Sequence, residues 1–419
     1  MIPRSAFAVL AALTFSAQAG DGEADALRLA DEAPDAVAPA RDWRGFAELG
    51  LGAARQRSDG SVRHDRRLSF DVRVDHAFAG EWRAVFADRL DIGDPAQAGG
   101  DHAINTVKEA YLGWRPAPEA LLDFGRINAR YGVATGYNPT DFFRAGALRS
   151  IVSIDPASLK ENRQGSVMLR SQWLWTGGSL TALVSPDLER RPSRDGFNLD
   201  LGATNPRDRL LVALSQEIGG LNPQFLLYRE AAAPARFGLN LTGLLNDATV
   251  AHVEWSGGRG AGQLEQALGQ PARASHGWRN RLATGLTYTT ANKLSLTAEW
   301  HYNGGGLDDA GWQALRRGPP LAYIRYRLWG RDAQELPTRQ AFFLRAMWQD
   351  ALIPHLDLTL MHNRDLVDAS RRTWLEARYH AGAWDYALQW QRSGGQKLSS
   401  YGVMPDSRSW QALVRYYFN

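Results

Sequence analysis

The chain has 419 residues, and its 48 Lys and Arg residues nearly balance its 45 Asp and Glu residues, which leaves a formal net charge of +3. A nucleic-acid-binding protein concentrates basic residues on one face, so this balance gives no support for a nucleic-acid partner. The chain contains no cysteine, which excludes a disulfide scaffold, a thiolate metal site and a cysteine nucleophile.

The first predicted element is a secretory signal peptide over residues 1–19. One arginine precedes an apolar run from Ala6 to Phe15, and Ala17-Gln18-Ala19 supplies the small residues of a cleavage site. The apolar run is about half of the roughly 20 residues that a membrane-spanning helix needs. Residues 20–41 follow, with six acidic residues and two prolines between 21 and 40. This composition predicts a solvated acidic leader in the periplasm.

From residue 42 to residue 419, apolar and polar side chains alternate in one segment after another. Between Arg67 and Asp75 every even position is apolar and every odd position is polar, and residues 294–302 and 384–391 follow the same period. A period of two places one face of an extended strand in an apolar medium and the other face in a polar one. About eighteen such segments are present, the second at 66–79, and most approach the 9–11 residues with which a tilted strand crosses a bilayer.

The connections between these segments alternate in length. Short links such as Ala79-Gly80 and Gly382 alternate with long ones such as 129–164 and 303–339. Outer-membrane barrels have this asymmetry, with short turns in the periplasm and long loops outside the cell. We therefore predict an all-β fold, a transmembrane antiparallel β-barrel of about 18 strands in the bacterial outer membrane, with 303–339 as a long extracellular loop. The alternative is a secreted β-sandwich or propeller, which has turns of similar length at both ends.

Aromatic residues support the membrane assignment. Trp82, Trp114 and Trp384 stand near strand ends in the apolar register, where they would form interfacial girdles against outer-membrane lipid. The last segment, Trp410 to Phe418, is similar to the aromatic C-terminal strand that barrel-assembly machinery recognises, although Asn419 follows it. Lipid and assembly machinery are therefore predicted partners.

The polar register of the predicted strands carries charge of both signs. In a barrel of roughly 16–18 strands this face lines an aqueous channel. Two interpretations stay open: the charges form cross-strand pairs that brace a wet wall, or a subset lines a path for polar or charged solutes. The predicted pore-lining residues are Arg67, Arg73, Glu109, Arg170, Arg281, Glu299, Arg345, Glu376, Arg378 and Arg415.

The 129–164 loop is predicted to fold into the lumen as a constriction. It is rich in aromatic residues, and loops of about 35 residues are uncommon in proteins unless they are functional or disordered. Folding inward buries the aromatic side chains and places the arginines against the inner wall. Asp155-Pro156 predicts the start of a short helix with Asp155 as its cap. The predicted constriction residues are Arg126, Arg130, Asp141, Arg144, Arg149, Lys160, Glu161 and Arg163.

Three motifs carry a resemblance to a known family. Glu109-Ala110-Tyr111-Leu112, Phe124-Gly125-Arg126 and Gly136-Tyr137-Asn138-Pro139-Thr140-Asp141 resemble bacterial outer-membrane porin-like β-barrels, similar in outline to alginate-export-type barrels. The resemblance is concentrated in residues 105–185. It implies that an internal loop after an early strand narrows the pore. Exporters of acidic polysaccharide in that group carry an arginine-rich pathway, which the arginines of this loop match in kind, whereas its acidic residues dilute the positive charge.

The chain has no sequence motif of a common hydrolase, no phosphate-binding loop and no spaced set of metal ligands. We therefore predict neither an enzyme nor a cofactor or metal site. The inward pairs His252/Glu254 and Glu299/His301 are expected to form hydrogen bonds in the lumen. The predicted function is a passive outer-membrane channel for small polar or anionic solutes. The alternative is a dedicated export pore for a polysaccharide or another secreted product, working with periplasmic export components. An outer-membrane enzyme or a structural barrel is the third hypothesis.

Overall fold

The computed structural model describes residues 41–94, 101–193, 195–231, 233–270 and 277–418. The predicted signal peptide and residues 20–40 of the predicted leader lie outside this part of the chain. The described part contains one sheet of eighteen strands, in which the first and last strands pair with each other. The predicted antiparallel β-barrel is therefore confirmed.

Neighbouring strands pair antiparallel around the whole wall. The strands are β1 (Trp43–Gln56), β2 (Val62–Phe78), β3 (Trp82–Gly93), β4 (Ala103–Ala117), β5 (Ala120–Ile127), β6 (Ser166–Trp175), β7 (Gly178–Ser185), β8 (Arg209–Gln216), β9 (Gln224–Glu230), β10 (Arg236–Asn246), β11 (Thr249–Gly260), β12 (Gly277–Thr289), β13 (Leu294–Asn303), β14 (Gln340–Trp348), β15 (Leu356–Asp365), β16 (Arg371–Ala381), β17 (Trp384–Gly394) and β18 (Asp406–Phe418).

Side chains of each strand alternate between the outer and the inner side of the wall. In β2, Arg67 and Ser69 are buried on the inner side, whereas Leu68 and Phe70 are exposed on the outer side. An exposed apolar surface of this kind is the one that a bilayer covers. Because the described sheet closes on itself, each of its eighteen strands has a hydrogen-bonded neighbour on both sides, as a strand within a bilayer requires.

The two rims of the barrel differ. At one rim, the turn end, short turns join successive strands, such as residues 79–81 between β2 and β3. Ala79 and Gly80 have positive φ values of 48° and 71° there, which are typical of tight hairpin turns. The long connections start from the other rim, the loop end. They contain the helices α1 (Pro156–Glu161), α2 (Leu201–Thr204), α3 (Gln263–Ala267), α4 (Asp309–Arg317) and α5 (Pro320–Asp332).

In the described part of the chain no helix has both the length and the apolar character needed to cross a membrane. The connection that contains α4 and α5, residues 304–339, is compact, and we call it the helical cap. Trp312 of α4 and Tyr326 of α5 are buried in an apolar cluster that also contacts Leu264 of α3. Trp312 Nε1 donates a hydrogen bond to Asp368 Oδ2 (3.0 Å). The helical cap is therefore packed against neighbouring loops at the loop end.

Candidate functional site

Residues 128–165 connect β5 to β6, and we call them the inner segment because they contact side chains on the inner side of the wall. The predicted helix is present as α1, and its cap Asp155 accepts a hydrogen bond from Ser158 N (2.9 Å). Gly125, at the end of β5, has a φ of 137°, and a Cβ there would collide with Tyr111 of β4. Glycine therefore lets the chain approach β4 closely just before it leaves the wall.

The aromatic residues of the inner segment pack on an apolar part of the inner wall. Phe142 stacks on Tyr228 of β9 with ring centroids 4.6 Å apart, and Phe143 meets the same ring edge-on at 6.1 Å. Leu183 of β7 and Leu211 of β8 belong to the same buried cluster and are 0% exposed. The inner face of β7–β9 therefore has an apolar part, formed by Leu183, Leu211, Ala213, Leu226 and Tyr228, that the inner segment covers.

Glu254 of β11 binds the turn of the inner segment. Its carboxylate accepts hydrogen bonds from the backbone N–H groups of Val133 (2.9 Å), Ala134 (3.0 Å) and Thr140 (2.8 Å) and from Asn138 Nδ2 (3.0 Å). Glu254 is completely buried. A buried carboxyl group needs such donors, because leaving it without partners is strongly unfavourable. The turn and the wall are therefore joined by four N–H donors that converge on one side chain.

Glu299 of β13 holds the middle of the same turn. Its carboxylate oxygens accept hydrogen bonds from the backbone N–H groups of Thr135 (2.6 Å) and Gly136 (2.8 Å). Two histidines flank it on the wall: His301 Nε2 lies 2.8 Å and His252 Nε2 lies 3.3 Å from its carboxylate oxygens. The predicted hydrogen bond of the Glu299/His301 pair is present. His252 lies beside Glu299 and not beside its predicted partner Glu254, and its Nε2 makes no hydrogen bond to a described residue.

Glu254 and Glu299 together form what we call the carboxylate clamp. Two glycines fit the inner segment against it. A Cβ on Gly132, whose φ is 101°, would lie 2.6 Å from Glu254 Oε1, and a Cβ on Gly136 would lie 2.6 Å from the Phe343 ring. Larger residues at either position would push the turn away from the wall. The clamp therefore depends on close approach of the backbone.

Arg163 and Asp141, both predicted constriction residues, form a buried ion pair within the inner segment. Arg163 Nη1 lies 2.6 Å from Asp141 Oδ2. Arg163 also donates hydrogen bonds to Asn128 Oδ1 (2.7 Å) and Ala129 O (2.6 Å). A planar guanidinium that binds a carboxylate and two further acceptors fixes its neighbours in one geometry. Arg163 therefore joins the two ends of the inner segment to each other and to Asp141.

Arg126 and Arg149 contact a different part of the chain, the connection between β7 and β8. Arg126 donates a hydrogen bond to Leu199 O (2.5 Å), and Arg149 donates to the backbone oxygens of Asp195 and Asn198. These two predicted constriction residues are therefore apart from the clamp.

Arg144 and Tyr137 of the inner segment meet Glu335 of the helical cap. Glu335 accepts a hydrogen bond from Tyr137 Oη (2.6 Å), and its carboxylate lies 2.8 Å from Arg144 Nη2 and 3.2 Å from Arg281 Nε. Burial acts to raise the pKa of Glu335, but Arg281 and Arg144 outweigh it and hold the pKa below the ordinary value. Burial raises the pKa of the Tyr137 phenol, so the phenol remains a donor. We call these four side chains the junction.

The remaining predicted constriction residues, Arg130, Lys160 and Glu161, are half-buried. Lys160 Nζ donates a hydrogen bond to Ala134 O (3.3 Å), and burial lowers the pKa of its ammonium group. Across the described ranges, no three His, Asp or Glu side chains are grouped so as to hold a metal ion.

Most of the predicted pore-lining residues are paired across the inner wall. Arg67 and Arg415 both bind Glu48, at 2.8 and 2.7 Å. Glu299 and Arg281 belong to the clamp and to the junction. The other pairs are Arg73 with Glu109, Arg170 with Asp123, Arg345 with Asp155, and Arg378 with Glu376.

Three residues of this region, Arg372, Glu335 and Glu48, were missed by the sequence reasoning. Arg372 of β16 lies over the Tyr401 ring, 5.4 Å from its centroid, and makes no ion pair with a carboxylate in the described part of the chain. Glu335 and Glu48 bind predicted residues from distant strands and loops, so they have no local sequence signal. The inward His/Glu pairs were the nearest signal for the clamp.

Comparison with known proteins defines the fold. Neither a protein-family model nor a curated protein sequence matches the chain. OccAB1 of Acinetobacter baumannii is similar with a TM-score of 0.56 and 11% identity, over 90% of this chain and 96% of that one. OccAB3 of the same organism has a TM-score of 0.54, 8% identity and coverage of 90% and 99%. OccK8 of Pseudomonas aeruginosa has a TM-score of 0.52 and 10% identity, over 90% of this chain and 98% of that one.

These three structures are outer-membrane porins. The fold is that of an outer-membrane porin. Identities of 8 to 11% limit the likeness to the fold. In this porin fold, the candidate site consists of the inner segment, the carboxylate clamp, the junction and the charged wall of the neighbouring strands.

Proposed function

We propose that the protein is a passive outer-membrane channel, narrowed by the inner segment, for small polar or anionic solutes. The observation that supports this most is the unequal inner wall. The inner face of β7–β9 has an apolar part that the inner segment covers, whereas β14–β18 and β1–β3 carry charged side chains on their inner side. Water and ions follow the charged side, because apolar surface disfavours them. In this proposal the loop end faces the outside of the cell and the turn end faces the periplasm.

The charges on that side favour anions in our proposal. Arg345, Arg378 and Arg415 are half-buried there and have carboxylate partners. Arg372 is half-buried as well, but its guanidinium has the Tyr401 ring in place of a carboxylate among the described residues. A cation without a counter-charge in a narrow passage attracts anions more strongly than it would in bulk water. We therefore expect a modest preference for anions over cations.

The inner segment acts as a fixed constriction in this proposal. The clamp holds its turn, Arg163 joins its ends through Asn128 and Ala129, and the junction ties it to the helical cap. A passive channel needs only a constant width. A pore for polymer export needs the inner segment to move aside, which would break the hydrogen bonds of Glu254 and Glu299. The clamp therefore supports the passive channel over the export alternative.

Ion conductance tests the proposal. The purified protein is inserted into planar lipid bilayers, and single-channel current and reversal potential are measured in a KCl gradient. We expect steady ohmic steps and a reversal potential on the anion-selective side. Arg372→Gln should move the reversal potential toward zero. Arg229→Gln, an exposed arginine on the outer side of β9, is the matched control and should leave the potential unchanged.

Other outcomes separate the alternatives. A bilayer that stays silent with the intact chain, and conducts once the clamp is broken by Glu254→Leu, supports the export pore. Hydrolase turnover that is lost on replacing His252 or His301 supports an enzyme. Fractionation of cells that express the chain tests the location, because the proposal requires the protein in the outer membrane.

A further inference from the structure

Six arginines stand on the outer side of the barrel at the loop end, one on each of six neighbouring strands. These strands run in the order β15, β16, β17, β18, β1 and β2 around the wall. All six side chains are exposed and alternate with inward-facing neighbours. We call them the arginine belt. Its members are Arg364, Arg371, Arg392, Arg408, Arg55 and Arg66.

The strand register brings members of the arginine belt face to face. Arg392 stands opposite Arg408, Arg408 stands opposite Arg55, and Arg364 stands opposite Arg371. Directly opposite residues have Cβ atoms about 4.5–5.5 Å apart, and like charges at that spacing destabilise a sheet. The belt therefore has a built-in repulsion that a bound anion would relieve.

The described part of the chain does not supply that anion. None of the six guanidinium groups has a hydrogen bond or ion pair to a described residue. The nearby acids Asp406 and Asp59 are bound by Arg63 (3.1 Å) and Ser61 (2.8 Å). Between the belt and the turn end, the outward positions of these six strands hold no Asp or Glu.

An apolar groove of about 640 Å³ lies on the same outer face, on the turn-end side of the belt. It crosses β13–β18 from Trp348, at the turn end of β14, to Trp390 and Trp410. The rings of Trp390 and Trp410 are 6.1 Å apart. Each stands two residues from a belt member on the same side of its strand, Arg392 and Arg408 respectively. The groove therefore opens at the most crowded part of the arginine belt.

We propose that the arginine belt and the groove bind a phosphorylated lipid of the outer leaflet, with its anionic headgroup on the arginines and an acyl chain in the groove. A guanidinium binds phosphate with two parallel hydrogen bonds, so it suits this headgroup. The groove takes hydrocarbon because its lining is almost entirely apolar. Free phosphate has no apolar part for the groove. A second copy of the barrel in a symmetric contact would bring a second arginine belt to this face and add repulsion.

The rest of the loop-end rim provides a matched control. On the described residues of β3–β14, the outward arginines near this rim are Arg229 of β9 and Arg259 of β11. Both are exposed, but β10 separates their strands, so they do not stand face to face. Replacing them removes the same number of outer arginines as replacing Arg392 and Arg408.

The test measures binding of diphosphorylated lipid A to the full chain in a neutral detergent, with native mass spectrometry as the readout. Each arginine near an anionic surface contributes about fivefold to binding. The Arg392→Gln/Arg408→Gln variant should therefore bind lipid A about 25-fold more weakly than the unmodified chain. The Arg229→Gln/Arg259→Gln variant should bind it as the unmodified chain does. Equal binding by the two variants overturns the proposal.

Two further measurements distinguish the occupants. Leu388→Trp fills the groove and should weaken lipid A binding while single-channel conductance, which reports an intact barrel, stays unchanged. Inorganic pyrophosphate should not displace lipid A; full displacement overturns the lipid assignment in favour of a simple anion site. If the chain forms an oligomer in lipid-free detergent and Leu388→Trp dissociates it, a second copy occupies the groove. This result would also overturn the proposal.

Discussion

Replacing Glu254 by leucine tests whether the carboxylate clamp sets the width of the channel. Leucine has a volume similar to that of glutamate in this fully buried site, but it accepts no hydrogen bond. The backbone N–H groups of Val133, Ala134 and Thr140 then lose their acceptor. Each buried donor without a partner costs about 1–3 kcal/mol. Three donors therefore destabilise the docked turn by roughly 3 kcal/mol at the lower limit.

A change of this size raises the population of the released turn by about two orders of magnitude, since 1.4 kcal/mol corresponds to about tenfold. The packing of Phe142 on Tyr228 and the Arg163–Asp141 ion pair still hold the rest of the inner segment. We therefore expect the turn at 133–140 to move while the aromatic part stays docked. Single-channel recording should show a larger mean conductance with additional substates, and the strand ladder should keep the melting temperature of the barrel nearly unchanged.

The matched control is Glu109→Gln, which changes another inward carboxylate whose ion pair is with Arg73 of the wall and not with the inner segment. Its mean conductance should equal that of the unmodified chain. A Glu254→Leu variant with the same distribution of conductances as the unmodified chain would refute the reasoning, because the clamp would then have no influence on the width of the path.

Three further changes examine the junction, the charged wall and the fit of the turn. The pKa of Glu335 is lowered in the folded state, so its carboxylate stabilises the junction at neutral pH, and this contribution is lost as the pH falls through the lowered value. The conductance of the unmodified chain should therefore change as the pH falls below the ordinary pKa of a glutamate carboxyl group, and that of Glu335→Gln should change less. Arg372→Gln should reduce the anion preference, measured as the reversal potential, without a shift in melting temperature. Gly132→Ala should raise the mean conductance, because the positive φ and the 2.6 Å approach to Glu254 exclude a Cβ.

For each of these three variants, a different outcome would contradict the prediction. If the conductance of Glu335→Gln changes at low pH as much as that of the unmodified chain, other carboxyl groups cause the change. If Arg372→Gln leaves the reversal potential unchanged, the Arg372 side chain does not contribute to the ion path. A Gly132→Ala variant with ordinary conductance and melting temperature means that the turn adjusts without leaving the clamp.

The strands were predictable because a membrane wall imposes a period of two over most of their length. The predicted second strand, 66–79, extends in the structure from Val62 to Phe78. The added residues include Arg63 and His64, because near the loop end the outward positions become polar and the alternation of apolar and polar residues disappears. The ends of strands outside the hydrocarbon layer therefore carry the weakest sequence signal.

The sequence predicted which residue types form the candidate site, but it did not predict which residues contact each other. The arginines and aromatics of the inner segment stand together in the sequence, and the cap at Asp155 follows from a local motif. Thr140 and Glu254, however, are 114 residues apart, and Arg144 reaches Glu335 of another connection. Such pairs are set by the three-dimensional register of the barrel, which no local pattern specifies.

The apolar part of the inner face of β7–β9 also bears on biogenesis. Until the inner segment covers it, this face exposes Leu183, Leu211 and Tyr228 to water, and exposed apolar surface makes an assembly intermediate prone to aggregation. The acceptors that dock the turn stand on β11 and β13, which are synthesised after the inner segment. Docking therefore belongs to the late, non-local stage of folding, which is the slow stage for β proteins. The yield of assembled barrel should depend on the same two carboxylates that are proposed to fix the width of the mature channel.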